Sequence, residues 1–211
     1  MLRSLKRIPD EVAFLKIHHK ITGIEGFLVA GQEKWLFLAA RSLPEDANIV
    51  EIGAFKGKST VSLALGCLGS QRRVFSIDTF VGSYDDVRDS ELEGMFARDF
   101  FSDWQENMKR TGVSEHTTAL QGHSQDIVKS WSKPIHLLFI DGSHQYEDVI
   151  ADFDHFFPHV VERGIVSVHD VTPSWPGPYR AWHERFQYVL IETGCCGSLA
   201  YGVKAKGNEA K

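Results

Sequence analysis

From residue 48 onward, short apolar runs alternate with amphipathic ones. Asn48–Ile52 and residues 73–77, 118–121, 135–140 and 165–168 are brief runs rich in Val, Ile, Leu and Phe. Residues 135–140 are apolar apart from His136, as expected of a strand buried on both faces of a parallel sheet. Between these runs, residues 59–68, 99–111, 125–131 and 149–161 carry helical patterns; Phe100, Phe101, Trp104 and Met108 mark one face of the second. Upstream, Trp35, Leu36, Leu38 and Ala39 give Gln32–Ser42 an apolar stripe of helical period, and Leu43-Pro44-Glu45-Asp46 stops it. Downstream, residues 187–192 and 198–203, separated by Gly194 and Gly197, predict a closing hairpin, with no helix after Arg185.

This alternation predicts an α/β fold: a Rossmann-like, doubly wound, mostly parallel seven-stranded sheet with a C-terminal antiparallel hairpin strand. The 211 residues suit one domain with an extension. Residues 1–30, with Val12, Phe14, Leu15 and Ile17 among charges and a break at Gly23-Ile24-Glu25-Gly26, form a predicted N-terminal helical extension. Residues 31–211 form the main domain.

Ligands of open α/β sheets bind at the carboxyl ends of the strands. The first strand ends in Glu51-Ile52-Gly53-Ala54-Phe55-Lys56-Gly57-Lys58-Ser59-Thr60. Gly53 permits a sharp turn and Gly57 a close approach of the following helix. The dinucleotide fingerprint fails here, because its second and third glycine positions hold Phe55 and Lys58. A phosphate loop is missed by one spacer residue before Gly57-Lys58-Ser59, and it stays open as a rival. Glu51 weighs against phosphate and suits a cationic ligand such as an amino group. The second strand ends at Asp78, placed to accept ribose hydroxyls, so the two ends together read as a nucleoside site without a pyrophosphate.

Two more strand ends carry polar clusters: Asp141-Gly142-Ser143-His144 and His169-Asp170. On neighbouring strands these would converge on one pocket. Two carboxylates and an imidazole suit a divalent ion. The plain alternatives are helix-capping aspartates and hydrogen-bonded structural histidines.

The net charge of -5, without a dense basic run beyond residues 3–7, argues against a nucleic-acid partner. Cys67, Cys195 and Cys196 make a poor disulfide framework and read as reduced thiols. No apolar run reaches membrane-span length, and Pro9-Asp10-Glu11 interrupts any signal-peptide pattern. The expectation is a cytoplasmic protein with no membrane partner, and residues 1–30 are a candidate surface for homo-oligomer formation.

Over residues 24–203 the chain resembles the class I S-adenosylmethionine-dependent methyltransferases. Within them it resembles the small-molecule O-methyltransferase group related to macrocin O-methyltransferase and the cephalosporin-hydroxylase-like proteins, and more distantly catechol O-methyltransferase. The resemblance rests on Glu51-Ile52-Gly53 with Gly57-Lys58-Ser59-Thr60, Ile77-Asp78, Gly122-His123-Ser124, the run from Phe139 to Tyr146, and Gly164 to Asp170. It implies that Glu51, Gly53 and Gly57 line the methionine end of S-adenosylmethionine. Ser59 and Thr60 would hold its carboxylate, Asp78 its ribose, and Thr79 and Ser124 would lie near ribose and adenine. Asp141, also beside the cofactor, would join His169 and Asp170 in holding a divalent metal, Mg or Mn. His144 would be the catalytic base. Relatives usually carry an acid or amide pair where this chain has His169-Asp170, and imidazole favours Mn²⁺, Fe²⁺ or Zn²⁺ over Mg²⁺.

The implied reaction is O-methylation of a small-molecule acceptor, a sugar, macrolide-like or catechol-like hydroxyl. Residues 81–94 and 172–179 are candidate substrate walls, with Trp175 and Tyr179 available to stack on a ring. Two other functions fit the same residues: a metal-dependent hydroxylase-like or hydrolytic enzyme, and a non-catalytic nucleotide-binding module.

Overall fold

The computed structural model describes residues 8–81 and 99–207. Its centre is a seven-stranded sheet in the order β3-β2-β1-β4-β5-β7-β6. The strands are β1 (Asn48–Ile52), β2 (Arg73–Asp78), β3 (Thr117–Gln121), β4 (Ile135–Ile140), β5 (Val160–Val168), β6 (Leu190–Cys196) and β7 (Leu199–Lys204). Strands β1 to β5 pair in parallel, while β7 runs antiparallel to both β5 and β6. This is the expected doubly wound sheet with its terminal hairpin.

The helices are α1 (Ile8–Ile17), α2 (His19–Thr22), α3 (Gln32–Ser42), α4 (Lys58–Cys67), α5 (Phe101–Thr111), α6 (Ser124–Ile127), α7 (Tyr146–Phe156), α8 (Pro176–Ala181) and α9 (Gln187–Val189). Two apolar cores sandwich the sheet. One packs α3, α4 and α5 under Ile49, Leu137 and Phe139; the other packs α7 and α8 under Val50, Leu138 and Ile140. Successive residues of one strand thus serve opposite faces, as the pleat requires. Helix α4 lies almost wholly buried against α3, and Gly66 makes this possible: a Cβ there would stand 2.5 Å from the carbonyl oxygen of Phe37. Trp35 stacks on Tyr201 at 4.8 Å, tying α3 to β7.

Residues 8–30 are helical only through Thr22. Phe14, Ile21 and Ile24 enter the same core as α3, and Phe14 meets Phe37 at 5.6 Å. Residues 24–30 then continue without regular structure.

Element boundaries differ from the sequence expectation most clearly in three places. The helix expected over 149–161 is α7, which starts earlier and stops at Phe156; Pro158 sits in a 3₁₀ turn, Phe157–His159, and Val160 and Val161 already belong to β5. The helix expected over 125–131 is one α turn followed by a 3₁₀ turn, Val128–Ser130. The strand expected to start at Gln187 starts at Leu190, because helical structure continues past Arg185 through Trp182–Phe186 and α9. Among the described residues no helix is long and apolar enough to cross a membrane.

Candidate active site

The site lies where β2, β1, β4 and β5 end. Their first residues beyond the sheet remain stitched together: Gly53 N–H donates to Ile77 O at 2.9 Å, Asp141 N–H to Ile52 O at 2.8 Å, and His169 N–H to Ile140 O at 2.9 Å. The polar residues that follow each strand are therefore held side by side by backbone.

Gly53 has φ +86°, a conformation that favours glycine, and a Cβ on it would stand 2.0 Å from Asp141 O. Glu51, completely buried, points beneath this turn. It accepts from Thr60 Oγ1 at 2.5 Å and Ser76 Oγ at 2.7 Å, while Oε1 has no aligned donor. Burial drives its carboxyl up to about 7, against the hydroxyls of Ser59, Thr60 and Ser76, which favour the ionised form.

Several expected ligand residues prove to build the turn as well. Asp78 Oδ2 accepts from Ala54 N–H at 2.6 Å and Phe55 N–H at 2.8 Å, and Oδ1 from Phe80 N–H at 2.7 Å. Thr60 is wholly buried: its hydroxyl donates to Glu51 and accepts from Trp104 Nε1 at 3.2 Å, so it braces the acid rather than facing a ligand carboxylate. Ser59, its neighbour, is likewise buried beside Glu51. Gly57 caps α4 with φ +86°, and a Cβ on it would strike Met108 at 2.5 Å and Trp104 at 2.9 Å; its smallness serves α5 packing. Thr79 Oγ1 donates to Val81 O at 3.0 Å, at the edge of the described residues. Ser124 Oγ donates to Asp152 Oδ1 at 2.5 Å. Asp152 is itself a residue the sequence reading missed, although it lies on the same face of α7 as Val149, Phe153 and Phe156. Burial raises its carboxyl to about 6, with the Ser124 bond opposing.

The other four residues converge as their strand positions predict. One donor atom each of Asp141, His169 and Asp170 lies within 4.8 Å of the others. His169 Nδ1 is 3.0 Å from Asp141 Oδ1 and 3.1 Å from Asp170 Oδ2, yet it has no aligned hydrogen-bond partner. Its burial disfavours the cation, but the two carboxylates prevail and raise the imidazole to about 10. Burial also works against Asp170, and the two imidazoles outweigh it, holding the carboxyl below its ordinary value. Asp170 takes the left-handed conformation, φ 54°, which Asp tolerates better than most residues. His144 Nε2 lies 3.0 Å from Asp170 Oδ2, and the His144 ring stacks on Trp175 at 4.0 Å.

Gln32, at the start of α3, was not legible as a site residue. It is completely buried, and its Oε1 lies 3.0 Å from His169 Nε2. No sequence signal separates it from any polar residue opening a helix. Of the candidate substrate walls, residues 82–94 lie outside the described residues, whereas Trp175 covers His144. Tyr179 instead tilts against His183 at 4.4 Å.

A seven-stranded sheet of this order, parallel but for its terminal hairpin strand, is that of the class I methyltransferase fold. The methyltransferase domain family matches residues 50–171, a span from the strand bearing Glu51 to just past Asp170, and the chain belongs to that family. Similar solved structures agree on the fold. They include the O-methyltransferase NovP (18% identity, 83% of this chain and 80% of that one, TM-score 0.67). An O-methyltransferase from Bacillus cereus in complex with SAH is 19% identical over 94% of this chain and 92% of that one, with TM-score 0.62. TomG from Streptomyces achromogenes, an O-methyltransferase of tomaymycin synthesis in complex with SAM, is 19% identical over 95% and 91%, with TM-score 0.60.

Proposed function

We propose that this methyltransferase uses S-adenosylmethionine to methylate a hydroxyl of a small molecule, with a divalent metal at Asp141, His169 and Asp170 and with His144 as the base. The observation that carries the reading is the convergence of two carboxylate oxygens on an unaligned, buried imidazole nitrogen, directly against the glycine turn. A nitrogen with two carboxylate oxygens near 3 Å and no aligned bond to either fits a site for a cation. Gly53, which leaves no room for a side chain, and the acid beneath it fit a cofactor carrying a sulfonium and an amino group.

Bound at these residues, the metal would lower the pKa of an acceptor hydroxyl. Bound at the Glu51–Gly57 turn, S-adenosylmethionine would supply the methyl group. The protein's own part is positioning and proton transfer. Asp170, an acceptor 3.0 Å from His144 Nε2, keeps the hydrogen on that nitrogen, so Nδ1 takes the hydroxyl proton and Asp170 holds the resulting imidazolium. Trp175 fixes the plane of the ring by stacking. Asp78 keeps Ala54 and Phe55 in the turn while remaining beside the ribose position, since each carboxylate oxygen can accept more than one bond. Glu51, Gly53 and Gly57 shape the methionine end, with Ser59 and Thr60 behind Glu51. Thr79 and Ser124 border the nucleoside side. The names of NovP and TomG, both O-methyltransferases, support oxygen as the acceptor atom.

The test is release of S-adenosylhomocysteine with a panel of sugar, macrolide and catechol acceptors. His144→Ala should abolish turnover while S-adenosylhomocysteine still binds. Full activity in that variant would remove His144 from the base role.

A further inference from the structure

Gln32 makes four side-chain hydrogen bonds, and two of their partners are backbone groups with fixed roles. Val29 N–H, which only donates, lies 2.7 Å from Oε1. Cys196 O, which only accepts, lies 3.2 Å from Nε2. Ser198 Oγ, 3.1 Å from Nε2, takes the second amide hydrogen. The orientation of the amide is therefore set by backbone rather than by choice. The atom facing His169 is an oxygen, 3.0 Å from Nε2. An acceptor there keeps a proton on Nε2, so any lone pair of a neutral His169 ring lies on Nδ1, the atom beside Asp141 and Asp170.

We propose that Gln32 is a positioning residue for the metal centre: it fixes His169 as the Nε2–H tautomer and presents Nδ1 as a nitrogen ligand, so that the centre takes a first-row transition dication in preference to Mg²⁺. This rests on the metal reading above. The chemical ground is that imidazole suits Mn²⁺, Fe²⁺ or Zn²⁺, whereas Mg²⁺ prefers an all-oxygen shell. The geometric ground is that Gln32 also joins three elements around the ligand: residues 24–30 through Val29, the β6–β7 turn through Cys196 and Ser198, and the end of β5 through His169. A second hydrogen bond that orients a ligating imidazole is typically worth 10–100-fold in metal affinity, about the size expected here.

The test uses Mn²⁺ as the probe and pulsed electron paramagnetic resonance on the full chain, a readout independent of turnover. Wild type should bind one Mn²⁺ with ¹⁴N coupling from a directly bound imidazole, and about a hundredfold excess of Mg²⁺ should leave that signal in place. Gln32→Met should lose affinity by about 10–100-fold and lose or weaken the coupling. Gln32→Glu, which keeps an acceptor oxygen, should retain it. Mn²⁺ bound to wild type without ¹⁴N coupling, or readily displaced by Mg²⁺, overturns the inference and leaves an oxygen-ligated centre. Unchanged coupling and affinity in a folded Gln32→Met overturn the role of Gln32. No Mn²⁺ binding to wild type overturns the metal reading itself. The wild-type spectrum decides the ligation even if Gln32→Met fails to fold.

Discussion

Gly53 and Asp141 meet backbone to backbone: a single added Cβ on the first would stand 2.0 Å from the carbonyl oxygen of the second. The turn shaped for a cofactor and the turn carrying a candidate metal ligand are thus one packed unit. Gly53→Ala must both strain a backbone with φ +86° and push β1 and β4 apart at their ends. Strain alone costs roughly 1–3 kcal/mol. The expected result is a lowered melting temperature with joint loss of S-adenosylhomocysteine and Mn²⁺ binding, measured by calorimetry. Loss of one without the other would show the two turns to be independent.

Glu51 gives the protein a stability slope of unusual sign. Its folded-state value of about 7 lies above the ordinary 4.5, so between those values the folded state holds a proton that the unfolded state has released. Stability from this group falls as pH rises through that window and is level above it, a total of about 3 kcal/mol. Glu51→Gln removes the slope. Relative to wild type, the variant should gain stability between about pH 4.5 and 7 in denaturant titrations, while binding cofactor more weakly. A constant difference across that range would mean that Glu51 is ionised in the folded protein.

Gly177 tests whether His144 needs exact placement. A Cβ there would lie 2.0 Å from His144 O and 2.8 Å from Tyr146 N, so Gly177→Ala should displace the segment bearing the base. Turnover should fall by about tenfold or more, because small misplacements of catalytic groups are costly. Affinity for S-adenosylhomocysteine, measured by titration, should hold. Unchanged turnover would place the reaction away from His144.

Metal affinity should rise with pH. His169, raised to about 10 chiefly by Asp141 against its own burial, must release the Nδ1 proton to ligate. Between about pH 6 and 9, Mn²⁺ affinity should climb by up to tenfold per pH unit, with one proton released to buffer. A flat profile would show that the ion displaces no proton from His169.

Much of this was legible in the sequence. Residues 135–140 and 165–168 read as strands because parallel-sheet interiors leave no polar face. Asp141, His144, His169 and Asp170 stood out because polar clusters interrupt those runs at the same end. The helix limit near Pro158 was obscured by Val160 and Val161, whose apolar character suits a helix face and a strand equally. Thr60 and Gly57 sit in the motif as expected, but whether a side chain faces ligand or core depends on α5, which packs Trp104 and Met108 there from far along the chain. Gln32 meets His169 across 137 residues of sequence, and only the folded chain reveals that contact.

The most direct test of the account is a calorimetric titration of Mn²⁺ into protein saturated with S-adenosylhomocysteine, comparing wild type with Asp170→Ala. The account predicts one ion bound per chain in wild type and a loss of that binding in the variant. Equal binding in both proteins, or none in wild type, would contradict it.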